Sequence, residues 1–162
     1  MAQLTLIARA VSKPAPALPE GFSVRALRPD DAEPLGRLYY DAHAGLVHAD
    51  VREAINEVCQ AFAGEFGELW PEASGLVVHE RQIVAAIFTV SRAPWADTPD
   101  CPFITDLFTD QRFRRQGLAR ALMARCLVAA SSISRPEVAL RVESDNKPAV
   151  RLYEAQGFRP VS

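Results

Sequence analysis

A chain of 162 residues with 49% apolar and 23% charged side chains has an ordinary globular composition and the length of one domain with a sizeable core. Its formal net charge of −2 argues against general nucleic-acid binding, and no apolar run approaches the roughly 18–20 residues that span a bilayer. Cys59, Cys101 and Cys126 are widely spaced, match no metal pattern, and read as buried, reduced cysteines of a cytosolic protein. Ala15-Pro16-Ala17 mimics a signal cleavage site, but no basic segment precedes the short apolar run Leu4–Ala8, so secretion is not expected.

In chain order, Gln3 to Val11 can form a strand, and residues 13–20, with three prolines, read as an extended linker. Residues 1–20 are therefore set apart as strand and linker from a domain over 21–162. Phe22–Leu27 alternates like a half-buried strand. Arg28-Pro29-Asp30-Asp31 opens a helix that an Asp can cap, with Leu35, Leu38 and Ala42 on one face and Gly45 as the stop. Asp50 and Glu53 have the spacing of a capping box at the head of a second helix. Val51, Ile55, Val58 and Phe62 form its expected buried stripe. Gly75–His79 and Gln82–Val90 are two strands joined near Glu80-Arg81, where the absence of Gly or Asn leaves the turn type open. Residues 92–102 are a Pro-rich loop.

A strand over Phe103–Thr109 leads into Arg114-Arg115-Gln116-Gly117-Leu118-Ala119 and then a helix over Leu118–Ala130. An Arg-rich, Gly-bearing turn that opens a helix is an anion cradle. The first helical N–H groups lack intrahelical partners, the helix dipole adds positive charge there, and Gly117 lets an anion approach the backbone without a Cβ in the way. Val138–Val142 is a further strand, Asp145-Asn146-Lys147-Pro148 starts a last helix that ends near Gly157, and Phe158–Val161 is a short final strand. This mixed order specifies an α/β or α+β domain of three layers around a mixed sheet.

Two segments carry a family resemblance. Ile104–Ala119 contains a Gln/Arg-x-x-Gly-x-Gly/Ala turn through Arg114, Gly117 and Ala119. Leu140–Phe158 contains a strand–Asn–helix–Leu-Tyr-x-x-x-Gly-Phe element through Asn146, Leu152, Tyr153, Gly157 and Phe158. Together, in this order, they resemble the acyl-CoA-binding core of the GNAT acetyltransferase superfamily. The resemblance is clear over residues 103–158, rests on element order alone from 22 to 102, and gives out before that.

The resemblance implies a GNAT-like fold, with helices on both faces of a mixed sheet that is splayed between its fourth and fifth strands by a bulge. The pantetheine arm of CoA would run along Leu107, Phe108 and Thr109. Its pyrophosphate would sit on the turn Arg114, Arg115, Gln116, Gly117, Leu118, Ala119 and Arg120. Arg112, Arg114 and Arg115, at a Gly-bearing helix start, read as phosphate contacts in preference to a solvated face or a nucleic-acid patch. Asn146 matches a cofactor-contacting Asn of the family. Tyr153 would face the sulfur, both touching the cofactor and serving as general acid for the departing thiolate.

The general base is less plainly marked. Many relatives carry Glu where this chain has Thr105 or Arg141. Asp106 and Glu143 are the candidate carboxylates; Asp106 is equally readable as a solvated or paired residue, and Glu143 reads more readily as a surface charge. His43 and His48, at the break between the first two helices, are either solvated loop residues or acceptor contacts. Trp95 and Phe103 either wall the acceptor pocket or belong to the core. Relatives usually continue past the Gly-Phe pair into a two-strand hairpin, for which this sequence has room for only one strand. Gln3–Val11 is expected to fill that gap, in the same chain or across a homodimer.

The resemblance thus implies a cytosolic N-acetyltransferase, with acetyl-CoA as cosubstrate and no metal. It would transfer acetyl to a primary amine of a small molecule or peptide by direct attack in a ternary complex, with neither nucleic acid nor membrane as partner. The alternative is a non-catalytic acyl-CoA-binding sensor of the same fold, favoured by the missing acidic residues at positions 105 and 141.

Overall fold

The computed structural model describes residues 2–161. Seven strands form one mixed sheet: β1 (Gln3–Arg9), β2 (Phe22–Arg25), β3 (Gly75–His79), β4 (Gln82–Val90), β5 (Phe103–Thr109), β6 (Glu137–Glu143) and β7 (Arg159–Pro160), in the order β2-β3-β4-β5-β6-β1-β7. Helices α1 (Ala32–Ala42) and α2 (Val51–Phe62) pack on one face, against Leu76, Ala86, Phe88 and Phe108. Helix α3 (Leu118–Ala130) packs on the other, over Val77, Ala85, Ile87 and Ile104, and α4 (Lys147–Ala155) joins that core through Ala149, Val150 and Tyr153. Side chains alternate across a strand, so a strand covered on both faces must be apolar throughout; this is why β4 reads Ile-Val-Ala-Ala-Ile-Phe without a polar interruption.

The N-terminal segment completes the sheet within the same chain. β1 runs antiparallel to β6 from Gln3↔Glu143 to Arg9↔Glu137, and β7 pairs with its outer edge at Leu6 and Ile7. Leu6 and Ala8 are buried, so alternate residues of this strand join the core facing α3.

The β3–β4 turn places both Glu80 and Arg81 at positive φ, 49° and 67°. Two consecutive left-handed residues are what a two-residue hairpin needs to match strand twist, and here non-glycine residues supply them. Asp31 does not cap α1 with its side chain. Its carboxylate turns back to accept the Arg28 N–H and a two-pronged ion pair from Arg25, bracing a 3-10 turn (Pro29–Asp31) that leads into the helix. Asp50 does cap α2, accepting the Glu53 N–H at 2.9 Å. The buried stripe of α2 is centred on Ala54, Val58 and Ala61, with Val51, Ile55 and Phe62 at its margins, and α1 approaches α2 closely where Gly36 faces Ile55. Cys101 and Cys126 are buried thiols as expected, but Cys59 is exposed, on the outward side of α2.

Candidate active site

The sheet opens where β5 and β6 part. They pair in parallel only at Phe103↔Ala139 and Ile104↔Leu140. On the other side of β5, Phe88 lies opposite Asp106 and Thr89 opposite Ile104, which leaves Thr105 as an extra residue, a bulge. A bulge bends its strand and strengthens the local twist, and the C-terminal half of β5 accordingly leaves β6. Two adjoining cavities occupy the resulting gap.

The larger cavity, of about 560 Å³, is lined by Leu107, Phe108 and Thr109 from β5, by the turn from Phe113 to Arg120 except Gln116, and by Asn146, Leu152 and Tyr153 from α4 and its cap. Arg115 and Gly117 both have positive φ, 64° and 80°. The first backbone bond of α3 runs from the Ala121 N–H to the Gly117 carbonyl, so the N–H groups of Leu118, Ala119 and Arg120 precede the intrahelical ladder. A Cβ at Gly117 would meet nothing within 4 Å, so the space over this turn is open. Open backbone donors, a helix N-terminus and the Arg115 and Arg120 side chains on one wall suit a phosphate group. The fit to a pyrophosphate therefore rests on groups present in this chain.

Not every expected arginine reaches the cavity. Arg112 does not line it: its guanidinium is bound to Asp110 at 2.9 Å and lies over the Phe113 ring, because Asp110 caps the 3-10 turn Gln111–Phe113 and draws the nearest cation. Arg114 lines the cavity, but Nη2 also donates to the Ala42 carbonyl at 2.5 Å. With Gln111 Nε2 on the Asp41 carbonyl at 2.7 Å, it ties the turn to the end of α1. Gln116 lies outside the lining.

The second cavity, of about 360 Å³, lies between Ile104–Leu107 of β5 and Leu140–Glu143 of β6. Asp106 and Glu143 both line it. So does Arg141, whose guanidinium is bound to Asp97 at 2.8 Å and donates to the Thr5 hydroxyl. His43, Leu107, Asn146, Ala149 and Tyr153 line both cavities and form the wall they share. Asn146 caps α4, its Oδ1 accepting the Ala149 N–H, and Tyr153 follows two turns along the same helix. Burial first, and the Asp106 charge second, push the Tyr153 hydroxyl up to about 12, so it holds its proton at neutral pH.

Asp106 is half-buried, and its carboxyl is raised to about 7. Burial is the main cause, partly offset by the neighbouring Tyr39 and Thr105 hydroxyls, and the charge of Glu57 adds to it. A carboxyl balanced near neutrality suits proton abstraction. His43 Nδ1 lies 3.0 Å from the Tyr39 carbonyl, which can only accept, so this nitrogen carries the proton and Nε2 is left for the cavity.

Other expectations fall outside the site. His48 is buried rather than solvated and lines neither cavity. Trp95 and Phe103 pack edge-to-face away from both, with Phe103 in the core and Trp95 exposed. Tyr39 and Glu57 meet Asp106 from α1 and α2, and sequence reasoning missed both. Their signal was weak: Tyr39 sits on the buried face of α1 beside Leu35, Leu38 and Ala42, where an aromatic residue reads as core.

The splayed sheet, the open helix-start turn and the Asn-capped α4 agree with the fold that the GNAT resemblance of the sequence implies. The Acetyltransferase (GNAT) family model matches residues 50–158, and the chain belongs to this family. No curated protein matches the chain. Among solved structures, PH1933 from Pyrococcus horikoshii OT3 is similar at 19% identity, over 87% of this chain and 90% of that one, with a TM-score of 0.71. An aminoglycoside N-acetyltransferase, AAC(6')-Iy, in complex with CoA matches at 14% identity over 94% and 93%, TM-score 0.68. Arabidopsis thaliana Naa50 in complex with the bisubstrate analogue CoA-Ac-MVNAL matches at 18% over 88% and 85%, TM-score 0.65. At such identities the likeness is one of fold.

Proposed function

We propose that this protein is an N-acetyltransferase that moves the acetyl group of acetyl-CoA to a primary amine by direct attack in a ternary complex. The observation that carries this reading is the shared wall: a phosphate-suited cavity and a carboxylate-bearing one meet at Tyr153. Family membership supports acetyl transfer in general, and the solved relatives with CoA or a CoA-peptide conjugate agree with the donor.

In this reading the turn from Arg114 to Arg120 holds the pyrophosphate through backbone N–H groups and the Arg115 and Arg120 side chains. The edge of β5 at Leu107–Thr109, freed from β6, pairs with the pantetheine arm as an added strand would. The ammonium of the acceptor enters beside Asp106, whose carboxylate takes one proton. The amine lone pair then attacks the thioester carbonyl, the C–N bond forms and the C–S bond breaks. Tyr153 delivers its hydroxyl proton to the leaving sulfur and recovers one from the acylated nitrogen. The net products are an amide, CoA thiol and one proton. Glu143 stands at the mouth of the same cavity as a second carboxylate and would help draw in a cation.

A non-catalytic acyl-CoA sensor is the second reading. It is favoured by Thr105 and by an Arg141 already engaged with Asp97. One experiment separates the readings: thermal unfolding with and without millimolar acetyl-CoA, followed by assay of CoA release with a panel of small amines and peptides. A rise in Tm together with CoA release is expected. A rise without release from any amine selects the sensor, and no rise overturns both.

A further inference from the structure

The segment between α1 and α2 supplies part of the wall of the second cavity, through His43 and Val47. Leu46 and Val47 are the two most exposed large apolar side chains among the described residues, at 87% and 53%. A single bare apolar side chain says little, but this pair stands beside a cavity, and the backbone holds it there. The Gly45 N–H donates to the Tyr40 carbonyl at 3.0 Å and the Leu46 N–H to the His43 carbonyl at 2.9 Å. Ala44 and Gly45 both have positive φ, 52° and 70°. Before this turn, His43 Nδ1 lies 3.0 Å from the Tyr39 carbonyl. After it, the His48 ring is buried with its centroid 4.7 Å from that of Tyr39, and its Nε2 is 3.4 Å from Glu57 Oε2. Both ends of the segment are thus fixed to the helices, and its two apolar side chains are left facing water.

We propose that this rim selects the acceptor, and that the acceptor is a compact primary amine with one ammonium group and an aliphatic or aromatic group a few bonds away. This rests on the reading of the second cavity as the acceptor side of an acetyltransferase. The ammonium lies beside Asp106, and its carbon tail leaves the cavity over Val47 and Leu46, where tail and rim remove each other's apolar surface from water. Charge complementarity fixes the head. Asp106 is the half-buried carboxylate and takes one cation, whereas Glu143 is exposed and screened by water, so it steers a cation without forming a second seat. The third charged group in the wall, Arg141, is bound to Asp97 at 2.8 Å and repels a further cation. A polyamine or an aminoglycoside therefore fits poorly. Its extra ammonium groups would approach Arg141, or lose water against Leu46 and Val47 with nothing there to accept their hydrogen bonds. Size points the same way: about 360 Å³ holds a head group and a short linker, at the low end of the roughly 300–1,000 Å³ of ligand cavities.

Two measurements on the full chain test this. In the first, CoA release from acetyl-CoA is followed with isopentylamine, phenethylamine, ethanolamine and spermidine. We expect kcat/KM for the two apolar amines to exceed that for ethanolamine and spermidine by about ten-fold or more, the worth of two or so covered methylene groups. Leu46→Ser combined with Val47→Thr makes the rim polar while removing no buried packing, since both side chains are exposed. The preference should then shrink to about two-fold, through a raised KM for the apolar amines. In the second, phenethylamine is titrated into the CoA-saturated protein and the methyl NMR signals of Leu46 and Val47 are followed. Saturable shifts are expected with phenethylamine and not with ethanolamine. This readout needs no turnover, so it separates the rim from the reaction. Saturable shifts without CoA release from any amine overturn the acetyltransferase reading and leave the rim as a seat for apolar amines. CoA release that favours ethanolamine or spermidine, a preference that survives in the double variant, or methyl signals that do not move overturn the rim.

Discussion

Asp106 on β5 and Tyr153 on α4 line the same cavity, and the charge of the first helps keep the proton on the second. In the proposed reaction Asp106 takes a proton from the nucleophile and Tyr153 gives one to the leaving group, and one-step acyl transfer needs both. Tyr153→Phe preserves the ring that packs at 6.0 Å from Phe158 and removes only the hydroxyl. We expect kcat to fall by roughly 10²–10⁴-fold with acetyl-CoA affinity retained, measured by stopped-time CoA release and calorimetric titration. An unchanged kcat would remove Tyr153 from the chemistry.

Asp106 makes a prediction in pH. Its folded-state pKa of about 7 lies above the ordinary 3.8, so the folded protein binds this proton more tightly than the unfolded chain does. Stability therefore falls as pH rises through this window, and above about 7 the ionised, half-buried carboxylate is a standing cost. Asp106→Asn should melt higher than wild type at about pH 8, with the gap closing as pH falls toward about 4. The same substitution should abolish the limb of kcat/KM that rises with pH near neutrality. Melting curves that run parallel at every pH would mean that Asp106 is not perturbed.

Gly117 separates binding from folding. A Cβ there meets no protein atom within 4 Å, but φ is +80°. Gly117→Ala should cost about 1 kcal/mol of stability for the left-handed backbone alone. The added methyl stands over the turn where an anion would come closest, so acetyl-CoA affinity should fall by ten-fold or more, about 1.4 kcal/mol. Chemical denaturation and calorimetry report the two effects separately. Full affinity in the variant would place the pyrophosphate elsewhere.

Gly36 tests the helical layer that carries Tyr39 and His43. A Cβ on it would lie 2.4 Å from Ile55 Cα, against backbone that cannot step aside without separating α1 from α2. Gly36→Ala should destabilise the fold by about 1–3 kcal/mol, read as a lowered denaturation midpoint. A neutral result would show that the two helices sit farther apart in solution.

Much of the fold was legible because its signals are local. The boundaries of α3, Leu118–Ala130, follow from an apolar run bracketed by Gly117 and a polar break. The cap at Asp50 and the buried β4 are likewise written in adjacent residues. The β3–β4 turn was harder to read, because Glu80 and Arg81 adopt left-handed backbone without the Gly or Asn that usually announces it. Arg112 was misjudged because its choice of partner, Asp110, depends on a side-chain direction that spacing does not reveal.

By itself, the sequence determined two local features: a turn at Arg114–Ala119 with open backbone donors, and a helix that starts at Asn146 and carries Tyr153. Those features depend on local backbone geometry and on residues a few positions apart. Only the tertiary structure decided the rest. It put β1 between β6 and β7, fixed Thr105 as the bulge, and brought Tyr39, Glu57 and Asp106 from three elements around one crevice. The reason is physical: strand order, the pairing of side chains across layers and the burial that raises a carboxyl to near neutrality all arise between residues far apart in the chain.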